Sequence, residues 1–543
     1  MLRHTRKLCS VIIASGLFYG CSPENAPKTP TLQELSENQL RIAATDDPFT
    51  LDPRLVRDVS TANFMHLLYE GLFRAGPNGQ IEPAIAKSYT VSDDGLTYLF
   101  DLRESKWANG EPLTAEDFVA TWKSILSPEF PAPNAYQLFL IKGAKLAKEG
   151  KTPLDSIGID AKNPTTLVVQ LEEPASYFLE LLSVHFFFPV HSQMRNQPNS
   201  TVAADKLIAN GPFKIAHWKQ RNELATIKNP NYWNAQAVNI NGVTIQILDE
   251  NSALQLFKAG KLDWAGSPMS TIPQDAVISL KEEGQLNIAP AAGTHWFRFN
   301  TQKPPFNNQK MRKAFALALD RQAIVEHITQ GNQAPAIGVV PPSFGFDNQH
   351  YYRDHDTLSA QKSYMAALID LKNADEKLPE ITLCYASNER SHKIAQAVQQ
   401  QWKKAFGVDV KLESCESKIL FNKLHEGNYQ ISLASWYADI RDPINFLEIF
   451  KSKDNSTNNT FWEDQRFTDL LTRSSKENSA EERKKLLAQA EEILIDGMPV
   501  APIFYGAFNY LKNNQVGGIY FSELGYLDFR DAFFTKDKNE NSH

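Results

Sequence analysis

Basic residues do not predominate in this chain: 56 Lys and Arg stand against 63 Asp and Glu, with a net charge of -7 and a pI near 6.0. A nucleic-acid binder is expected to present a basic face, so this balance argues against that class. Beyond residue 20 no apolar run approaches the length of about 20 residues needed to span a bilayer. Cysteine is scarce, with only Cys9, Cys21, Cys384 and Cys415. Catalytic signatures are missing as well: there is no Gly-x-Ser-x-Gly elbow, no His-Glu-x-x-His, no Gly-x-x-x-x-Gly-Lys-Ser/Thr loop and no Gly-x-Gly-x-x-Gly. These absences lower the expectation of an enzyme without excluding one, because a triad is defined by geometry and not by chain order. The 12 His residues show no metal-ligand spacing, so neither a metal nor another cofactor is expected. What is present is bulk. At 543 residues, 42% apolar and 11% aromatic, the chain can bury a large core, divided into about two to four compact units.

The N-terminus reads as a targeting segment. Arg3, Arg6 and Lys7 precede the apolar run Leu8 to Tyr19, which ends at Gly20-Cys21. Leu17-Phe-Tyr-Gly20-Cys21 resembles the lipobox of bacterial lipoproteins, whose cleavage leaves an acylated cysteine. Phe18 stands where a leucine is usual, and the alternative is an ordinary signal peptide with an incidental cysteine. Residues 1–20 are thus expected as a lipoprotein signal peptide. Residues 21–32, polar and carrying three prolines, cannot pack a core and are expected as a tether.

Along the chain, Leu40 to Ala44 is a short strand and Asn63 to Tyr69 a helix. Tyr89 to Leu102 is a hairpin split by Asp94-Gly95, and Thr114-Ala-Glu-Asp117 opens a helix that buries Phe118, Val119, Trp122 and Ile125 on one face. From Ile381 the pattern alternates: strand, helix (391–406), strand (408–412), helix (417–425), strand (429–434). That alternation predicts a parallel sheet, whose ligands lie beyond the carboxyl ends of its strands. Cys384 and Cys415 fall on neighbouring predicted strands. A disulfide and two buried thiols both remain open.

Leu433-Ala-Ser-Trp-Tyr-Ala-Asp439 ends an apolar strand in aromatics and one carboxylate. Taken alone it suits either a solvated Asp-Pro turn or the capture of a small cation.

The run Ala86-Lys-Ser-Tyr-Thr-Val-Ser-Asp-Asp-Gly-Leu-Thr-Tyr-Leu-Phe-Asp-Leu-Arg103, continued by Lys106-Trp-Ala-Asn-Gly-Glu-Pro-Leu-Thr-Ala-Glu-Asp-Phe-Val-Ala-Thr-Trp122, resembles the signature region of the periplasmic oligopeptide-binding proteins. These are the solute receptors of peptide-importing ABC transporters. Ala209 to Phe213, Lys228 to Asn234, Leu256 to Asp263, Phe299 to Phe306, Met311 to Arg321 and Trp402 to Val410 resemble further stretches of that family in order, from about residue 40 to 525.

The resemblance implies an α/β, two-lobed periplasmic-binding-protein fold with an extra third subdomain. Lobe I would comprise residues 33–60, 186–293 and 507–543, the extra subdomain 61–185, and lobe II 294–506. The family holds its ligand's ammonium on the aspartate of a Trp-x-Ala-Asp motif, here Trp436-Tyr-Ala-Asp439, so that role is carried to Asp439. Ser435, Trp436 and Tyr437 would pair one side of the ligand backbone, with Asp58 and Val59 on the other. Many members bond a cysteine after the motif tryptophan to a second one; Tyr437 and Gly293 stand at those places. Arg57 and Arg298 stand where the family carries acids, and Leu424 and Leu433 where it carries arginines meeting the ligand's carboxylate. A short peptide with an extra carboxylate or an unusual backbone is one consequence; the other is that both arginines pair with protein acids or face solvent. Trp264, Trp296 and Phe297 are candidate cleft aromatics, equally suited to a core. His392 and His425 read as surface or cap residues, with His392 kept as a candidate in the cleft.

The expected function is capture of short oligopeptides for an ABC importer. Partners would be the permease subunits and the membrane through a lipid on Cys21, the protein being a periplasmic or extracytoplasmic monomer. Dipeptides, murein peptides or a metal chelate are alternative ligands. Two other classes are a hydrolase in the same shell and a surface lipoprotein without a transporter.

Overall fold

The structure, a computed structural model, describes residues 38–76, 79–195, 206–346, 351–453, 455, 457–477 and 479–535. The expected leader, Cys21 and the tether lie outside the described residues.

One long mixed sheet runs through both lobes in the order Phe213–Lys219, Glu223–Lys228, Gly242–Ile247, Gln39–Ala44, Trp264–Gly266, Val500–Lys512, Asn287–Phe299, Ile431–Tyr437, Ile381–Ala386, Val410–Cys415. Val500–Lys512 and Asn287–Phe299, each 13 residues long, cross from one lobe to the other. They pair antiparallel, but the register breaks between Pro290 and Thr294. A bulge in a long pair bends it locally, which suits a crossover between two lobes.

In the second lobe, Ile381–Ala386 runs parallel to both Val410–Cys415 and Ile431–Tyr437. Helices Glu389–Phe406 and Ser417–His425 connect them, giving the alternation expected from the sequence. Trp402 on the first helix is fully buried between Phe297 and Phe315, with ring centroids at 5.5 and 5.0 Å. Cys384 lies opposite Glu413, and Cys415 opposite Ala386, so the two are out of register by two residues. Both are buried and free, and the Cys384 thiol donates to Glu413 Oε2 at 3.1 Å. Burial pushes this thiol up to about 12, helped by the Glu413 hydrogen bond, so it stays protonated.

The extra block is built on a separate four-stranded sheet. Its hairpin pairs Ala86–Val91 with Thr97–Leu102 around Gly95, whose φ of 72° is the reason a glycine serves there. Asp117 accepts from the Thr114 N–H at 3.0 Å at the start of Ala115–Leu126, and that helix buries Phe118, Val119, Trp122 and Ile125 against the sheet. Apolar side chains of 72–187 form one contiguous cluster with those of 292–504. The first lobe keeps its own core, from Leu40 to Val56, Phe213 to Ile245 and Val516 to Ala532, and residues 62–69, expected in the extra block, pack into it. Glu70 ties the C-terminal segment to the first lobe: it accepts from Tyr232 at 2.9 Å and pairs with Arg530 at 2.6 Å, while Arg530 also binds Asp528. Among the described residues no helix is long and apolar enough to cross a membrane.

Candidate ligand-binding cleft

Strand Ile431–Tyr437 sets the site. Along one edge all seven residues pair with Asn287–Phe299, Gly293 lying opposite Tyr437 and Phe297 opposite Leu433. Along the other edge only Ile431 and Ser432 meet a strand, at Leu383 and Cys384. From Leu433 to Tyr437 that edge therefore has no strand partner among the described residues, since Tyr385 and Ala386, the last residues of Ile381–Ala386, pair only with Val410–Cys415. An open edge carries unpaired N–H and C=O groups, ready to accept an extended chain.

Asp439 stands at the end of this edge. Its N–H donates to Asn445 Oδ1 at 3.2 Å, and the same oxygen takes Trp436 Nε1 at 3.0 Å, which fixes the turn. Its carboxylate accepts from Gln137 Nε2 at 3.0 Å and from the Tyr136 hydroxyl, both on the extra block. Among the described residues no cation faces it. Burial pushes its carboxyl up to about 6, opposed by the two hydrogen bonds. A desolvated carboxylate with neutral donors alone is a site that an incoming ammonium would stabilise.

The other expected residues distribute unevenly. Ser435 and Tyr437 lie exposed on the open strand, whereas the Trp436 ring is half-buried toward Asn445. Arg57 and Asp58 are exposed and Val59 is half-buried. Asn134 Nδ2 donates to Val56 O at 3.0 Å, which joins the Arg57 loop to the segment that reaches Asp439. Asp58 and Val59, expected to pair the ligand's other side, lie at a helix start: the Asp58 side chain caps helix Val59–Leu68 by accepting from Thr61 N at 2.8 Å, and Val59 is the first residue of that helix. His392 is exposed, and its Nδ1 lies 2.7 Å from the Tyr385 hydroxyl.

Trp296 and Phe297, expected as cleft candidates, are fully buried core residues, as is Trp264, which stacks on Tyr510 at 4.3 Å. The physical reason is that Asn287–Phe299 is a central strand covered on both faces, so successive residues both disappear from solvent. Arg298 is buried opposite Ser432, on the face away from Phe297 and Tyr437, and burial lowers its pKa. Leu424 packs with Cys384, Cys415 and Tyr429, and Leu433 packs against the main core.

Several cleft residues escaped the sequence reading. Tyr136 and Gln137 reach Asp439 across about three hundred positions of chain, a distance no local pattern spans. His295 Nε2 lies 3.1 Å from the Tyr437 hydroxyl, with the His295 ring stacked on Phe504 at 4.4 Å. Burial, aided by Arg390, lowers the His295 pKa to about 3, so the ring is neutral. A Cβ on Gly293 would sit 2.4 Å from the Tyr437 ring. A Gly293→Ala substitution should destabilise the protein by about 1–3 kcal/mol through this overlap, and the loss should vanish in a Tyr437→Ala background. Denaturant midpoints of the four proteins in that cycle check it.

The chain is similar to known proteins in sequence and in fold. Residues 80–458 match the family described as "Bacterial extracellular solute-binding proteins, family 5 Middle". The chain is 39% identical to the oligopeptide-binding protein OppA of Bacillus subtilis, over 91% of this chain and 92% of that one. It is 33% identical to the dipeptide-binding protein DppE of the same organism, over 99% and 100%. The solved structure of the Escherichia coli murein tripeptide binding protein MppA superimposes with a TM-score of 0.76 at 28% identity, covering 92% of this chain and 98% of that one. The chain belongs to the family 5 bacterial extracellular solute-binding proteins.

Proposed function

We propose that this protein is the extracytoplasmic receptor of a peptide-importing ABC transporter and captures short peptides bearing a free α-amino group. The observation that carries this is the open edge Leu433 to Tyr437, which ends at the uncompensated carboxylate of Asp439. Backbone groups are the same in every peptide, so pairing the ligand as an added strand gives affinity independent of its sequence. The ammonium is the other constant feature, and Asp439 meets it with a charge-assisted hydrogen bond.

Residues 33–60, 186–293 and 507–543 would move as one lobe and 294–506 as the other, with 61–185 supplying Tyr136 and Gln137. Ligand favours the closed arrangement by touching both lobes, and closure offers a surface to the permease. Acylation at Cys21 would hold the monomeric receptor at the membrane surface. Dipeptides, murein peptides and a metal chelate remain ligands of the same family; a free-amino peptide is favoured by Asp439.

The role is binding, not catalysis. Mass spectrometry of ligand released on denaturing the purified protein should find short peptides with free N-termini, and peptides incubated with it should stay intact. Release of a non-peptide ligand, or cleavage of the peptides, would overturn the proposal. Binding should also depend on pH with a definite sign. Ammonium binding favours the ionised carboxylate, and Asp439 near 6 is mostly ionised at pH 7 and mostly protonated at pH 5. Affinity for a free-amino peptide should therefore fall about ten-fold from pH 7 to pH 5. Titration at the two pH values checks it.

A further inference from the structure

Resting on the Asp439 reading above, we infer that Glu180 is a positioning residue for the ammonium site: its un-ionised carboxyl pins the turn that follows Asp439 against the extra block, and loss of that proton loosens the turn. Glu180 lies in the short helix Phe178–Leu181 of the extra block. Its carboxyl accepts from the backbone N–H of Arg441, two residues beyond Asp439, while Oε2 is buried with no hydrogen-bond partner among the described residues. Within the second lobe the same turn is held by Asn445 Oδ1 on the Asp439 N–H and by Asp442 Oδ1 on the Ile444 N–H at 2.9 Å. Glu180 ties that turn to the block whose Tyr136 and Gln137 donate to Asp439, so the seating of the turn sets how the carboxylate meets its donors.

The charges around Glu180 explain why it keeps its proton. From the second lobe it faces Asp442, which already takes both terminal nitrogens of Arg483, at 2.7 and 2.9 Å. The Arg441 guanidinium is engaged by Glu523 at 2.7 Å. Tyr177, at the head of the helix that carries Glu180, faces Glu448, Asp442, Arg483 and Glu173. Burial raises the Glu448 carboxyl as well, with Lys451 opposing. The seam between the extra block and the second lobe therefore gathers the carboxyls of Glu173, Glu180, Asp442 and Glu448 around arginines that are already paired. Burial pushes the Glu180 carboxyl up to about 8, with Asp442 adding to the rise and Arg483 and Arg441 opposing it. Ionisation would leave a buried anionic oxygen without a donor beside Asp442, a cost that parting the seam relieves.

The sign of the pH dependence follows. The folded pKa lies above the ordinary value of 4.5, so the contribution of Glu180 is fully present below about pH 4.5 and is lost as pH rises through about 8. Acid thus weakens the site through Asp439, and base weakens it through Glu180.

Calorimetric titration with a free-amino tripeptide at pH 6, 7 and 9, on wild type, Glu180→Gln and Glu180→Ala, tests this. Glutamine keeps an acceptor for the Arg441 N–H and stays neutral throughout. Relative to wild type, the affinity of Glu180→Gln should rise about ten-fold from pH 7 to pH 9. The ratio cancels titration of Asp439 and of the peptide's own α-amino group, which both proteins share. At pH 6 Glu180→Ala should bind about three-fold or more weakly than Glu180→Gln, having lost the acceptor. A Gln-to-wild-type ratio that does not move with pH, or an alanine variant that matches the glutamine variant at pH 6, would overturn the assignment. Urea unfolding without ligand adds an arm independent of peptide: between pH 6 and pH 9 the wild-type folding constant should fall about ten-fold or more relative to that of Glu180→Gln. Equal pH dependence of the two proteins there would likewise overturn it. If free and N-acetylated peptides bind alike, the Asp439 reading fails and the urea comparison still decides Glu180. If free-amino selectivity holds while both ratios stay flat, the Glu180 assignment fails alone.

Discussion

Replacing Asp439 by alanine should weaken binding of a free-amino tripeptide by roughly 10- to 150-fold at pH 7, the equivalent of about 1.5–3 kcal/mol for a charge-assisted hydrogen bond. The same variant should bind the N-acetylated tripeptide as wild type does, because acetylation has already removed the charge that the carboxylate meets. Its stability without ligand should not fall at neutral pH. Burial holds the Asp439 pKa above the unfolded value, so the carboxylate favours the folded state fully only below about pH 4 and loses that contribution as pH rises through 6. Removing the group therefore takes away a charge that the unliganded fold bears at a cost. Calorimetric titration with the two peptides, together with denaturant unfolding at pH 7, separates the effects. An unchanged affinity for the free-amino peptide would contradict the role of Asp439.

The largest expected loss of stability is at Trp402. Its ring is fully buried between Phe297 and Phe315, and its Nε1 donates to Phe315 O at 2.9 Å. Trp402→Ala should cost about 3–5 kcal/mol, combining lost burial with the cavity left behind. The Phe315 carbonyl would also lose its partner inside an apolar region. Phe297 lies on a crossover strand, directly opposite Leu433 on the strand that carries the site. The change should accordingly loosen the second lobe and lower peptide affinity as well. Urea unfolding followed by circular dichroism measures the loss, and a cost below about 1 kcal/mol would show that this ring does not anchor the lobe.

The second lobe was the most legible part of the chain. Ser417–His425 forms as a helix with the bounds that its pattern suggests, and the parallel alternation from Ile381 onward is local enough to read directly. Legibility failed where partners are remote. The strand expected to end at Ala434 continues to Tyr437, because Ser435 to Tyr437 find hydrogen-bond partners at Gly293 to His295, far away in sequence. The helix expected from Asn63 begins at Val59: Asp58 caps it and overrides the weak helix propensity of Val-Ser-Thr. Aromatics misled at Trp296 and Phe297, since composition cannot distinguish a cleft from a strand covered on both faces.

The site divides in the same way. Asp439 is legible as a carboxylate just beyond an apolar strand, although that pattern alone suits a solvated turn as well. Tyr136, Gln137 and His295 carry no local signal, because their importance comes from what the fold places beside them.

The most direct test of peptide capture through Asp439 is a competition on the ligand-stripped protein. It would be offered an equimolar mixture of random tripeptides, half of them N-acetylated, and the retained fraction identified by mass spectrometry. Enrichment of free-amino tripeptides by ten-fold or more, with little regard to their side chains, is the predicted result. Retention of acetylated and free peptides in equal amounts, or of neither, would contradict the account.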